Sequence, residues 1–138
     1  MKRFLPLLLI VFLFGCDDSN FNNHNPYIAN QHFSVDVNLS LPAYNDLNYP
    51  GNAAYVGGTT ARGIYVFCIS DGNYTAYDAA CPNQAASSCS TLQKQGIVAV
   101  CPCDDAEYNF YTGRAPGMEY PMKPYRVQYL GGVVRVYN

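Results

Sequence analysis

Two cysteine-containing loops and the stretch between them decide the fold of this chain. The first loop, CPNQAASSC, spans Cys81–Cys89, and the second, CPCDD, spans Cys101–Asp105. An aromatic stretch, YNFYTG, follows at Tyr108–Gly113. Four of the six cysteines lie in this segment, a density typical of loops that are held by metal or by disulfides. We therefore expect a cysteine-loop subdomain over about residues 80–113.

Short segments with strand patterns surround these loops. Residues 33–41 alternate apolar and polar side chains, which is typical of a half-buried β-strand. Residues 63–70 form a continuous apolar run, which predicts a central strand with Cys68 as a buried apolar side chain. The other expected elements are a hairpin turn at Asp71-Gly72, strands over 74–79 and 108–112, loops over 43–60 and 114–124, and a last hairpin of 125–130 and 133–137 about Gly131-Gly132. No stretch has a useful helical period, so the sequence predicts an all-β fold, a small antiparallel β-sandwich or barrel.

Composition limits the partners of the protein. The chain has 138 residues, which suits one domain, and a formal net charge of −2 with only 13% charged residues. A nucleic-acid-binding protein needs a basic face, so we expect no nucleic-acid partner.

The N-terminus carries the features of an export signal. Lys2 and Arg3 precede an apolar run at residues 4–14, which is too short to span a hydrocarbon core of about 30 Å. The run ends in LFGC at Cys16, which resembles the bacterial lipobox. This predicts a lipoprotein signal peptide over residues 1–15 and lipidation of Cys16, which would anchor the protein to a membrane of the bacterial cell envelope, on the periplasmic face or the cell surface.

Residues 16–31 are asparagine-rich and have no hydrophobic period. We expect them to form a flexible tether, with His24 and His32 solvated, between the lipid and a domain over residues 32–138. An exported domain folds in an oxidising compartment, where its cysteines can form disulfides.

The order of the motifs from Gly63 to Val136 resembles a Rieske iron–sulfur domain. Residues 77–81 (YDAAC) resemble the strand that delivers the first cluster loop, Cys101-Pro102 opens the second, and residues 108–113 resemble the aromatic strand and Thr-Gly turn that follow it. Residues 121–127 (PMKPYRV) resemble the return to the final hairpin. The resemblance implies a Rieske-type fold.

The resemblance also places the residues of a cluster site. The family pattern is Cys-x-His in the first loop and Cys-Pro-x-His in the second; two thiolates bind one iron and two imidazoles bind the other. Cys81 and Cys101 match the thiolates, whereas Asn83 and Asp104 replace the histidines. A neutral amide is a poor iron ligand and a carboxylate adds negative charge. The resemblance therefore implies a vestigial site without a cofactor; the alternative is a non-standard [2Fe–2S] cluster.

Two disulfides are implied by the same resemblance. Cys-Pro-Cys resembles the Rieske proteins of cytochrome bc complexes, in which the second cysteine of the triplet pairs with an extra cysteine beyond the first loop; Cys89 and Cys103 are the counterparts here. In the family the counterparts of Cys81 and Cys101 bind one iron, so these sulfurs would lie close enough to form a disulfide when no metal is bound.

Two other metal sites remain open from the residues alone. Cys81, Cys89, Cys101 and Cys103 could form a Cys₄ zinc or cluster site, although one residue between two ligands is a tight spacing. The acidic run of Asp104, Asp105 and Glu107 could bind calcium or another hard cation.

Two functional hypotheses follow. In the first, the protein is a disulfide-stapled binding or interaction module that presents Pro82, Asn83, Pro102 and Asp104 to a protein or glycan partner. In the second, it transfers electrons through a non-standard [2Fe–2S] centre. We find no nucleophile–base pair and assign no catalytic residue, so we expect a protein that is not an enzyme or, if active, an electron-transfer component.

Overall fold

The structure, a computed structural model, describes residues 21–138. The predicted signal peptide and the lipidation site at Cys16 lie outside these residues. The described chain is all-β, as expected, with one turn of 3-10 helix at Asn45–Asn48. The nine strands are β1 (Ser34–Asn38), β2 (Ala53–Val56), β3 (Ile64–Ser70), β4 (Asn73–Asp78), β5 (Gln93–Gln95), β6 (Val98–Val100), β7 (Glu107–Asn109), β8 (Pro124–Tyr129) and β9 (Val133–Tyr137). From Phe21 onward, no helix has the length and apolar character needed to span a bilayer.

A six-stranded antiparallel sheet forms the body of the molecule. Its strand order is β1-β9-β8-β4-β3-β2. The two predicted hairpins lie where the turn residues indicated: Gly72 joins β3 to β4 with a φ of 73°, and Gly131-Gly132 joins β8 to β9 with φ values of 66° and 85°. Glycine adopts such left-handed conformations without a Cβ clash, which is why these dipeptides mark the turns.

The inner face of this sheet covers one apolar core. The predicted alternation in β1 is confirmed, since Val37 is fully buried while Ser34, Asp36 and Asn38 are exposed. Val37 packs with Val66, Val134 and other buried residues in this first core.

A second, three-stranded sheet carries the cysteine loops. Its order is β5-β6-β7. Tyr108 of β7 belongs to a second core with Tyr65 and Phe67 of β3, and Phe110 packs against both of those rings. Because both faces of β3 are covered, the strand is buried from Ile64 to Cys68, as its apolar run predicted.

Four short strands, β2, β5, β6 and β7, were missed in the sequence or differ from expectation. The predicted loop at 43–60 contains β2, whose AAYV sequence is too short and too rich in alanine to stand out. β5 and β6 lie between the cysteine loops, and β5 is exposed at every residue, so it has no hydrophobic pattern. The predicted strand at 108–112 ends at Asn109, because the Asn109 side chain accepts a hydrogen bond from the Tyr111 N–H and forms a turn.

The expected flexible tether needs correction over its described part. Residues 21–31, hereafter the N-terminal strap, lie against the domain, and Asn23 and Asn25 are buried (8% and 6% exposed). Asn23 Nδ2 donates to Pro124 O and to Asn138 Oδ1, both at 2.9 Å, and Asn25 Nδ2 donates to Pro82 O at 2.9 Å. The strap is held by amide side chains rather than by an apolar face, so it has no periodicity from which its packing could be predicted.

Candidate functional site

The first cysteine loop begins at the end of β4. Asp78 Oδ1 accepts a hydrogen bond from the Ala80 N–H at 2.8 Å, which turns the chain out of the strand. The Cys81 N–H then donates to Ser90 O at 2.9 Å and closes the loop on itself.

The second cysteine loop follows β6 and is tighter. The Cys101 N–H donates to Ala106 O at 3.0 Å, and the Asp105 N–H donates to Cys101 O at 2.8 Å. Asp105 has a φ of 58°, and among residues 21–138 it is the only non-glycine residue with a positive φ. Asp and Asn tolerate this conformation better than most residues, so the acidic pair at 104–105 has a conformational role in the turn.

Two disulfides join the loops, with the predicted pairings. Cys81–Cys101, the inner disulfide, has a Cα–Cα distance of 5.7 Å, and its two cysteines are 1% and 0% exposed. Cys89–Cys103, the outer disulfide, has a Cα–Cα distance of 5.1 Å and lies at the surface, where Cys89 is exposed. Cys68 is free and fully buried in the first core.

The side chain of Asn83 holds the first loop in place through three hydrogen bonds. Its Nδ2 donates to Tyr108 Oη and to Tyr120 O, both at 2.8 Å, and its Oδ1 accepts from the Tyr120 N–H at 2.9 Å. Burial raises the pKa of Tyr108, so its hydroxyl stays protonated beside Asn83. The side chain therefore ties the first loop to the sheet and to the 114–124 loop.

Asp104 ties the second loop to the first. Its Oδ2 accepts a hydrogen bond from Gln84 Nε2 at 2.9 Å, and its Oδ1 accepts from the Ala106 N–H at 3.0 Å. Ser87 Oγ lies 3.3 Å from Cys89 Sγ and 3.7 Å from Cys103 Sγ, so a hydroxyl also contacts both sulfurs of the outer disulfide.

The exposed surface of the two loops differs from the expected one. Pro102 and Asp104 are exposed as predicted, but Pro82 is buried and Asn83 is only partly exposed. Pro82 lies under the strap, which accounts for its burial. The surface that a partner would meet, hereafter the loop tip, consists of residues 85–89 and 102–105.

A buried polar network supports the base of the first loop. Tyr125 Oη donates to Asp78 Oδ2 at 2.7 Å, and both residues are almost fully buried. Burial raises the pKa of Tyr125, and the negative charge of Asp78 acts in the same direction.

Lys123 completes this network from the strap side. Its Nζ donates to Asn23 O and to Asn30 Oδ1, both at 2.6 Å, and the side chain is 1% exposed. Burial lowers the pKa of Lys123, whereas the nearby charge of Asp78 opposes this shift. Sequence reasoning missed both Asp78 and Lys123, because a lysine among prolines in PMKPYR carries no sign of burial.

Comparison with known proteins identifies the fold. No protein-family model and no curated protein matches the chain. Among solved structures, a chain from the complex of reduced oxygenase and oxidized ferredoxin in carbazole 1,9a-dioxygenase aligns over 75% of this chain and 92% of its own length, with a TM-score of 0.51 and 23% identity. This chain has a Rieske-type fold.

Two further structures resemble the chain less closely. The ferredoxin of carbazole 1,9a-dioxygenase from Nocardioides aromaticivorans IC177 aligns over 78% of this chain and 97% of its own length (TM-score 0.46, 19% identity). The E. coli protein NirD aligns over 78% and 98%, respectively (TM-score 0.44, 17% identity).

The residues at the Rieske cluster position do not fit a [2Fe–2S] centre as they are arranged. Iron binds thiolates, and the sulfurs of Cys81 and Cys101 are bonded to each other. The second iron would need two nitrogen ligands, but Asn83 and Asp104 stand there, and every polar atom of both side chains accepts or donates a hydrogen bond within the protein.

The other two metal sites considered above are also not assembled. The four sulfurs of the proposed Cys₄ site are paired in the two disulfides. Within residues 21–138, no cluster of three or more His, Cys, Asp or Glu side chains is arranged to bind an ion, and this includes the acidic run at Asp104, Asp105 and Glu107.

Proposed function

We propose that this protein is a lipid-anchored component of the bacterial cell envelope whose Rieske-type fold, without a cluster, works as a disulfide-stapled binding or interaction module. One observation carries the proposal: the two sulfurs that would bind iron in a Rieske centre form the inner disulfide, which is buried. The inner disulfide holds the loops in the place of a cluster.

The arrangement of Asn83 and Asp104 supports the same reading. A metal site needs ligand atoms that are free to bind the ion. Here Asn83 instead links the first loop to Tyr120, and Asp104 links the second loop to Gln84 of the first. Their substitution for histidine thus comes with new contacts that stabilise the loops without metal.

The loop tip is the proposed contact surface for a protein or glycan partner. It combines the exposed outer disulfide with Pro102, Asp104 and Asp105 on a segment whose backbone is fixed by two covalent bridges. A rigid loop loses little conformational entropy on binding, which favours recognition.

The anchor is proposed from the sequence at Cys16, with the membrane as the second partner. Mass spectrometry of the N-terminal peptide tests it directly: we expect acyl chains on Cys16 and release of a Cys16→Ser variant from the membrane fraction. Recovery of unmodified Cys16 in the membrane fraction would contradict the anchor.

The absence of a cluster is tested on the full-length protein. The chain is purified from membranes under aerobic and anaerobic conditions, and its visible spectrum, iron, acid-labile sulfide and free thiols are measured. We expect a colourless protein in which Cys68 is the free thiol among the cysteines of residues 21–138. Stoichiometric iron and sulfide would instead show that a non-standard [2Fe–2S] centre is bound and would favour the electron-transfer hypothesis.

A restored ligand set sharpens this test. Asn83→His/Asp104→His regains the family pattern, and we expect it to take up a cluster only when it is reconstituted with the inner disulfide reduced. The unsubstituted protein, reduced and reconstituted in the same way, is the matched control and should stay colourless. Cluster uptake by this control would show that the loss of the histidines does not prevent binding.

A further inference from the structure

A cavity separates the N-terminal strap from the first cysteine loop. Its volume is about 200 Å³. Tyr27, Ile28 and Ala29 of the strap form one wall, and Ala80 and Ala86 of the first loop form another. The cavity, hereafter the strap cavity, lies beside the loop tip and uses none of its exposed residues except Ala86.

Arg62 provides the positive charge of this cavity. It is partly buried, and its guanidinium is oriented by two hydrogen bonds of 2.8 Å, from Nη1 to Thr91 Oγ1 and from Nη2 to Ser87 O. A guanidinium has five N–H donors, so three remain for other partners.

No carboxylate compensates this charge in the described part of the chain. Within residues 21–138, the one ion pair is Arg135–Asp36, which lies at the surface and does not involve Arg62. Arg62 is therefore a partly desolvated, oriented cation that lines a cavity and whose bonds go to neutral oxygens alone.

Asp78 also lines the strap cavity, but it is almost fully buried (1% exposed) and both of its oxygens already accept hydrogen bonds. Its two carboxylate oxygens accept hydrogen bonds from Tyr125 Oη and from the Ala80 N–H. Lys123 lies close enough for its charge to interact with that of Asp78. Of the two charged groups in the lining, Arg62 is thus the one that keeps free hydrogen-bonding groups for a ligand.

Size and wall chemistry restrict the ligand further. A volume of about 200 Å³ has room for a ligand of several non-hydrogen atoms, such as a short-chain carboxylate. The alanine and isoleucine walls suit a short hydrocarbon, and Arg62 suits a planar carboxylate, which a guanidinium binds in a two-pronged geometry.

We propose that the strap cavity binds a small organic carboxylate, with the carboxylate on Arg62 and a short apolar chain between the strap and the first cysteine loop. This goes beyond the proposed interaction at the loop tip and does not depend on the absence of a cluster. Iron and sulfide analysis tests that absence, and ligand titration tests the cavity.

The experiment uses the full-length protein in detergent and butyrate as the probe. Isothermal titration should show saturable binding of butyrate, whereas butyramide, which has nearly the same shape without the charge, should not bind. Arg62→Gln should weaken butyrate binding about tenfold or more, because it removes the charged hydrogen bonds. Arg114→Gln, at an exposed arginine elsewhere on the surface, is the matched control and should bind as the unsubstituted protein does.

A second pair of variants keeps the test informative if Arg62→Gln disturbs the loop. Ala86→Leu fills the strap cavity and leaves Arg62 intact, so butyrate binding should fall. Ala85→Leu places the same side chain on the neighbouring exposed residue, outside the cavity lining, and should leave binding unchanged. Equal binding of butyramide, or butyrate binding that neither Arg62→Gln nor Ala86→Leu weakens, would overturn the proposal.

Discussion

The six-stranded sheet and the cysteine-loop region are held together in different ways. The sheet has continuous strand pairing and an apolar core of fully buried residues such as Val37, Val66 and Val134. The cysteine-loop region has strands of three residues each, and its loops are joined by two disulfides and by the side chains of Asn83 and Asp104.

The difference shows which part of the fold is free to change. A sheet held by burial tolerates little change in its inner residues, because close-packed cores respond to the loss of single methyl groups. Loops held by a few strong links can exchange one kind of link for another. Here two disulfides provide such links between the loops, and we propose that they take the place that a cluster has in a Rieske centre.

The largest expected effect is at Phe67, where the two regions meet. Phe67 is fully buried, stacks on Phe110 with ring centroids 5.2 Å apart, and lies nearly perpendicular to the ring of Tyr111 with centroids 4.8 Å apart. Phe67→Ala should lower the free energy of unfolding by about 3–5 kcal/mol in urea denaturation. Tyr49→Ala, at a side chain that is 60% exposed, is the control and should change it little. We expect the two regions to unfold together because Phe67 packs between them. Separate unfolding transitions for the two regions would contradict this expectation.

The inner disulfide should have the next largest effect. Cys81→Ala/Cys101→Ala opens a link with a sequence separation of 20, which should reduce the free energy of unfolding by about 3 kcal/mol in the chain-entropy treatment. Hydrogen exchange should accelerate in the cysteine loops and stay slow in β3 and β4. The matched variant is Cys89→Ala/Cys103→Ala, which opens the exposed link and should cost less because no buried side chains are lost. Faster exchange throughout the large sheet would contradict this separation of the two regions.

Lys123 tests whether the strap belongs with the loops. Lys123→Met keeps the length of the side chain and removes the two donors to Asn23 O and Asn30 Oδ1. Loss of the donor leaves the buried Asn23 O unsatisfied, which costs about 1–3 kcal/mol, so hydrogen exchange should accelerate over residues 23–31 and at Pro82's neighbours. Lys94→Met, which removes the donor to Ala53 O at the small sheet, is a control that should leave strap exchange unchanged. Unchanged strap exchange in Lys123→Met would show that Lys123 does not hold the strap.

The smallest effect at neutral pH is expected at Tyr74, on the sheet side. Its hydroxyl donates to Leu47 O at 3.1 Å, so Tyr74→Phe should cost about 1 kcal/mol. Burial raises the pKa of Tyr74 from 10.0 to about 12. As the pH rises, Tyr74 therefore loses its hydroxyl proton in the unfolded chain before it does so in the folded protein. The contribution of the protonated Tyr74 to the free energy of unfolding is complete below pH 10 and is lost as the pH rises to about 12. Urea denaturation across this range should show a shallower decline in Tyr74→Phe than in a Tyr49→Phe control, and equal slopes would refute the assignment.

The sequence by itself determined the parts of this protein that depend on local patterns. The alternation in β1, the apolar run of β3 and the glycine turns depend on side-chain spacing and backbone conformation, which are readable along the chain. The Rieske-type fold and both disulfide pairings followed from the order of motifs and the family resemblance.

Only the tertiary structure decided which polar side chains are structural. Asn25 and Lys123 are far apart in the sequence, and each is buried by contacts with segments that are remote along the chain. The same is true of Arg62, which gains its place in the strap cavity only when the strap folds over the first loop. Whether a polar side chain is buried and hydrogen-bonded depends on its neighbours in three dimensions. The sequence therefore predicts a tether for an asparagine-rich segment without a hydrophobic period, and only the tertiary structure shows its partners.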